Sequence, residues 1–179
     1  MVYATLKNSV LCSLMLCCAG ALFAEKISLE TPAGLRQWSK TVSGITLEEG
    51  FVKVSPTKED LTKKGLLGLW KPVHIPKYAG KTVRFSAEIM LKDVVPLSGA
   101  NYAGTKCMVT YGEDGKRFYP GIPEMKGSKD WKRYDRVFRV PKSGYISINL
   151  GLQSASGTVG FRNLKIEEAE DINTDGNEL

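Results

Sequence analysis

The chain of 179 residues has a single histidine, His74, isolated between prolines in P-V-H-I-P. No cysteine or serine motif stands beside it, so histidine-based catalysis has nothing to build on. There is no G-x-S-x-G, no H-E-x-x-H and no glycine-rich phosphate loop. These absences exclude the nucleophile-elbow, zincin and phosphate-cradling chemistries as motif-led assignments. Cysteine is scarce where it would matter. Cys12, Cys17 and Cys18 fall in the first 24 residues, which leaves Cys107 alone in the rest. A processed chain could then form no intramolecular disulfide, and core packing has to hold the fold. In K-C-M-V-T-Y, Cys107 shares a face with Val109 and Tyr111, as a buried and inert strand cysteine does. Convergent carboxylates are lacking too. Glu48, Glu49, Glu113 and Asp114 sit in turn-like sequence, where acids are simply favoured. Only Glu88 lies on the polar face of an expected strand, whereas glycoside hydrolysis needs two carboxylates on one bond.

Helical periodicity and internal repeats are also missing, and alternation takes their place. Residues 145–153 place Ile146, Ile148, Leu150 and Leu152 on one side. Tyr145, Ser147, Asn149 and Gln153 take the other, so one face of this strand is buried and one is wet. Residues 131–140 alternate as well, with Arg136 an odd charge between Tyr134 and Phe138 on the apolar side. That arginine either snorkels or marks its face as a cleft. Residues 154–157 read as a turn. The alternation of residues 158–166 slips between Phe161 and Leu164, which predicts a β-bulge near Arg162-Asn163. Upstream, residues 27–29, 45–47, 51–54, 66–73, 83–91 and 106–111 supply further strands, and Gly112-Glu113-Asp114-Gly115 a tight turn. Residues 57–64 form a polar loop with room for one helical turn. Eight or more short strands without a convincing helix predict an all-β fold, a two-sheet antiparallel β-sandwich of jelly-roll type.

The two ends read differently from this body. Residues 1–24 carry Lys7, an apolar run from residue 10 to 23 and small residues at Ala19, Ala21 and Ala24. Such a segment is a secretory signal peptide, with cleavage after Ala21 or after Ala24; an uncleaved membrane anchor is the alternative. It places the protein as secreted, periplasmic or at the cell surface. No other apolar stretch is long enough to span a bilayer. The domain is expected over residues 25–167, followed by an acidic, disordered tail over residues 168–179. From Glu167 onward there are six acids and no base, so the rest, without Lys7, has 24 bases against 13 acids. That excess suits an anionic partner such as an acidic glycan, a cell-wall polymer or nucleic acid. The bases are scattered along the sequence, however, which favours an ordinary solvated surface, and a secretion signal disfavours nucleic acid.

The order W-x-x-Y-x-x-x-F-x-V-P, I-x-I-x-L-G-L-Q and S-G-T-V-x-F-x-x-L over residues 131–164 resembles the C-terminal half of jelly-roll carbohydrate-binding modules. The group meant binds cellulose, xylan and mixed β-glucans on a galactose-binding-like sandwich. G-K-T-V-R-F-S-A-E-I at residues 80–89 looks like a strand of the same group, and the resemblance covers roughly residues 31–167. It implies a sugar site on the sheet face away from the core, built from aromatic platforms and hydrogen-bonding Arg, Asn and Gln. Arg84, Asn149 and Gln153 match that pattern, and it implies that Trp38 and Trp131 are buried. It also implies a structural Ca²⁺ near the first and last strands, where this chain has Arg162-Asn163 in place of an acid. A cation there would meet an arginine, so no cofactor is expected.

From the residues themselves, Trp70 alternates against Leu67 and Leu69 onto the non-core face, and Tyr102 lies in a glycine-rich loop. Tyr145 shares the face of Asn149, and Glu88 and Arg136 complete the candidate ligand-binding set. Sugar C–H faces pack on rings, and buried hydroxyls need donors and acceptors. The expectation is a non-catalytic module that binds a polysaccharide or oligosaccharide. A separate glycan-degrading enzyme or surface protein is a possible partner. The alternative is a structural or protein-interaction module of the same fold in an extracellular assembly. A jelly-roll lyase or hydrolase is a third class, without residues to nominate. Convergence of Arg84, Asn149, Gln153 and an aromatic in one groove separates the first two.

Overall fold

A computed structural model describes residues 25–100 and 102–169. The segment read as a signal peptide and residues 170–179 of the acidic tail lie outside the described residues. The elements are β1 (Glu25–Lys26), α1 (Pro32–Leu35), β2 (Ser39–Lys40), β3 (Ile45–Glu48), β4 (Phe51–Val54), β5 (Leu66–His74), β6 (Thr82–Pro96), β7 (Gly104–Glu113), β8 (Lys116–Phe118), β9 (Gly127–Arg139), β10 (Tyr145–Gln153) and β11 (Ala155–Glu168). Two antiparallel sheets form. One runs β3-β4-β11-β6-β9, with β1 also paired to β11, and the other β2-β5-β10-β7-β8. This is the two-sheet antiparallel sandwich that the alternation predicts.

Burial follows the period of two. Phe85, Ile89, Phe161 and Ile166 of one sheet meet Leu67, Leu69, Ile148, Leu150 and Leu152 of the other, all at 0–1% exposure. Each such side chain stabilises the fold by about 1.5–3 kcal/mol. Cys107 is buried among them, and burial pushes its thiol well above the ordinary range. Asp114 and Gly115 both have positive φ, 50° and 74°, the geometry of a two-residue hairpin turn between β7 and β8.

The bulge expected near Arg162-Asn163 is present. The β11–β6 register shifts between Arg162 and Lys165, and Asn163 has φ 54°. Other boundaries differ. Only Ser154 turns, at φ 46°; Ala155 and Ser156 pair with Pro96 and Val95 of β6. The long β6 offers partners that local sequence cannot reveal. The first strand is Glu25–Lys26 rather than residues 27–29, although Ile27 and Leu29 are buried beside it. One short helix, α1, forms after all. Thr31 caps it through a hydrogen bond from Gly34 N (3.0 Å), and Pro32 begins it. At the other end β11 continues to Glu168, and Ala169 N donates to Thr82 O, so the sheet extends past residue 167.

Trp38 is buried, its Nε1 donating to Ser28 O at 3.1 Å. Trp131 is not in the core, contrary to what the resemblance implies. Lys132 opposes the inward Ile89, and alternation turns Trp131 to the outside. There the ring lies over Gly160, edge-on to Phe51 at 5.1 Å, with the Arg162 guanidinium 4.2 Å above it.

Candidate functional site

The outer face of the five-stranded sheet carries the candidate site. In β5 and β10 the inward residues are Leu67, Leu69, Ile148, Leu150 and Leu152, so Trp70, Tyr145, Asn149 and Gln153 face out. Trp70 is 40% exposed and lies in register with Asn149, which in turn is in register with Met108 of β7. One pair further along, Gly68 opposes Gly151 and neither has a side chain to raise. A Cβ on Gly151 would sit 2.4 Å from Leu67 O, and one on Gly68 would sit 2.1 Å from Leu150 O. The two strands approach too closely there for anything but glycine, and a bare strip is left beside the Trp70 ring.

Beyond Asn149 the face deepens into a groove of about 350 Å³, lined by Thr110, Tyr111, Gly112, Arg117, Phe118, Tyr119 and Asn149. Asn149 Nδ2 donates to Thr110 Oγ1 and to Ser147 O, both at 3.2 Å. Those bonds fix the amide and leave its Oδ1 without a donor among the described residues. Arg117 is exposed and has no hydrogen-bond or ion-pair partner among them. The phenyl ring of Phe118 is stacked on Tyr111 at 5.1 Å, and Tyr119 is 57% exposed. At one end of the face Tyr145 stacks on His74 at 4.1 Å, which gives the lone histidine a packing role. At the other, the Lys106 ammonium, paired with Glu124, lies 5.8 Å over the Tyr102 ring. Trp70, Tyr102, Tyr145, Asn149 and Gln153 therefore share one surface.

Arg84, Glu88 and Arg136 do not join them. All three belong to β6 and β9 of the other sheet, so the expected convergence of Arg84 with Asn149 and Gln153 does not occur. Arg84 faces outward on that sheet, 3.5 Å from Asp135. Arg136 opposes Phe85 on the core-facing row of β9 yet is exposed, because β9 is an edge strand that overhangs the opposite sheet. Glu88 accepts from Arg162 Nε at 2.7 Å and Asn163 Nδ2 at 2.9 Å. The Arg162 hydrogen bond, then that from Asn163, holds its carboxyl below the usual range against the opposing effect of burial. The sequence gives no clue that would separate these residues by sheet, since each alternates as well as Asn149 does. Sequence reasoning also passed over Thr110, Arg117 and Tyr119; the R-F-Y run directly after the hairpin turn was the available sign.

The structural Ca²⁺ that the resemblance implies does not fit. Its region holds Glu30, Glu88, Arg162 and Asn163, but Glu30 accepts from Asn163 N, and Glu88 is taken by Arg162 and Asn163. A guanidinium stands where a cation would, and among the described residues no three acidic, His or Cys side chains are placed to hold a metal.

No protein-family model matches the sequence, and no curated protein matches it. Solved structures do. The chain is similar to the C-terminal family 22 carbohydrate-binding module of Clostridium thermocellum Xyn10B, with TM-score 0.52 and 14% identity over 83% of this chain and 94% of that one. It is similar to the CBM22-1 xylan-binding domain of Paenibacillus barcinonensis Xyn10C, with TM-score 0.51 and 13% identity over 83% and 94%. A xylan-binding domain from CBM22 gives TM-score 0.53 and 16% identity over 84% and 97%. At such identities the likeness establishes the fold, a jelly-roll sandwich shared with carbohydrate-binding modules.

Proposed function

We propose that this protein is an exported, non-catalytic carbohydrate-binding module. It takes a polysaccharide or oligosaccharide along the outer face of the five-stranded sheet. The observation that carries the reading is Trp70, a large ring held exposed beside Asn149 and the open groove, on a fold whose solved neighbours are named as xylan-binding domains. Trp70 offers a flat apolar platform to a sugar ring. Asn149 Oδ1 and Thr110 Oγ1 offer acceptors, and Arg117 and Gln153 offer donors, to hydroxyls that lose water on binding. The groove lining includes no carboxylate, so a glycosidic bond lying there would meet no acid–base pair. Secretion rests on the character of residues 1–24.

The test is affinity electrophoresis in gels containing xylan, mixed β-glucan or soluble cellulose derivatives. Trp70→Ala, and separately Asn149→Ala with Gln153→Ala, should weaken binding to the best polysaccharide at least tenfold, about 1.4 kcal/mol. Ile148→Ala is the control: it faces the core and should lower stability by about 2–5 kcal/mol without a specific binding defect. If wild type is retarded by no polysaccharide, the carbohydrate reading fails and a protein-interaction module replaces it.

A further inference from the structure

One group of bases lies along the edge strand β9 and the hairpin segment before it. From Lys116 to Lys142 there are nine Lys and Arg against three acids. Two of those acids are engaged: Glu124 by Lys106 and Asp135 by Arg84. Arg133 is tied to Ser86 (2.6 Å) and Arg139 to Gly80 O (3.0 Å). Lys129, Lys132 and Arg136 have no acidic partner among the described residues. They oppose Leu91, Ile89 and Phe85, so they occupy the core-facing row of β9, yet all three are exposed where β9 overhangs the edge of the sandwich. Tyr111 links this row to the groove. It stacks on Phe118 of β8 at 5.1 Å and on Phe138 of β9 at 6.0 Å, and Arg117 stands in the groove beside Phe118. Tyr111 thus lines the groove on one side and, through the buried Phe138, packs on the strand that carries the basic row on the other.

Like charges that line one edge repel, and among the described residues no ion pair engages Lys129, Lys132 or Arg136. Clustered charges of one sign in general raise potentials of several kT that fall off over about 8 Å at physiological salt. Neutral sugars gain nothing from them. We infer that the glycan bound at this face is acidic, with carboxylate or sulfate groups held by Arg117 and by the Lys129, Lys132 and Arg136 row of β9. The inference rests on the carbohydrate-binding reading above. A guanidinium is the suited donor, since its planar fork matches a carboxylate or sulfate bidentately.

Binding of the purified protein is measured to polygalacturonate and to its methyl ester, to dextran sulfate and to dextran, to neutral xylan, and to a single-stranded oligonucleotide. At least one acidic polymer should bind about tenfold or more tightly than its uncharged counterpart, and added salt should erode the difference. Preference for polygalacturonate identifies carboxylate, and preference for dextran sulfate identifies sulfate. The Lys132→Glu, Arg136→Glu double variant should lose that preference and keep the melting temperature and any affinity for xylan, since both residues are exposed on β9 and lie outside the groove lining. Equal affinity for charged and uncharged partners overturns the inference, as does an unchanged preference in the double variant. An oligonucleotide bound as tightly as the best acidic glycan also overturns it, as a mere polyanion sink. Trp70→Ala in the same panel reports separately: wild-type binding of every glycan by that variant defeats the carbohydrate-face reading itself.

Discussion

Asp60 shows how one residue can tie distant segments together. It is 2% exposed, and its carboxylate accepts from Lys63 Nζ (2.7 Å), Thr57 N (3.1 Å), Ser43 Oγ (3.1 Å), Thr57 Oγ1 (3.2 Å) and Ser43 N (3.3 Å). The Lys63 ammonium above all holds its carboxyl far below the ordinary range. A depressed folded-state value means that the unfolded chain binds the proton first. The stabilisation is complete above the unfolded value near pH 4 and is lost as pH falls from there toward the folded one. Asp60→Asn should therefore lower the melting temperature at pH 7, and the gap to wild type should close as pH drops below about 4. Thermal melts from pH 7 to pH 2 check this; a gap independent of pH would sink it. Residue-scale reading from sequence went furthest where a side chain's task is local. Cys107 sits in the core as its strand pattern predicts, but nothing marked Asp60, because its partners Ser43 and Thr57 arrive from the two sides of the β3–β4 hairpin.

At the scale of elements, β10 is the strand on which the candidate site depends. It lies between β5 and β7 and carries Ile148, Leu150 and Leu152 inward, Asn149 and Gln153 outward. Gly151 has φ 151°, where L side chains are strained, and its missing Cβ lets β5 approach. Gly151→Val should push the two strands apart, at a cost of about 1–3 kcal/mol. Because Trp70 and Asn149 sit on those same strands, glycan affinity should fall with stability, which separates this variant from Trp70→Ala. Chemical denaturation and affinity electrophoresis together measure both; unchanged stability would show that the strands yield freely. Among elements, β10 was legible because period-two alternation is written in its own residues. By contrast β2 is two residues long and exists through pairing with Trp70 and Leu69 of β5. Trp131 faces out by the same period of two that puts Tyr134 and Phe138 inward, as the unshifted register of Lys132 with Ile89 shows.

At the scale of the molecule, core packing and a half-buried ionic network hold the sandwich, and Cys107, the one cysteine among the described residues, is free. Ion pairing of Glu88 with Arg162, and the hold of Glu30 and Glu88 on Asn163, fasten the β11 bulge to β6 and to the segment before α1. Metal bound to the native state would add stability by mass action. With the carboxylates already engaged by a resident guanidinium, a chelator should leave the melting temperature unchanged, and added calcium should not raise it. Differential scanning calorimetry with and without chelator decides the matter; a drop of many degrees would mean that other oxygens bind a cation.

What the sequence determined by itself is the set of properties stored in neighbouring residues. Alternation gave strands and a buried side to each, the Asp114-Gly115 pair gave a hairpin, and the apolar slip at Arg162-Asn163 gave a bulge. From these an all-β sandwich follows, since strands with one apolar face must cover it against a second sheet. Sequence could also say that Trp70, Arg84, Glu88, Asn149 and Gln153 point away from a core. It could not say that there are two outer faces and which residue belongs to which. That division depends on strand order, and strand order is set by which backbones find one another across a hundred residues. Tertiary structure alone placed Trp70, Asn149 and the Arg117 groove together, sent Arg84 and Glu88 to the opposite side, and made β9, with Lys129, Lys132 and Arg136 on one row, an edge strand.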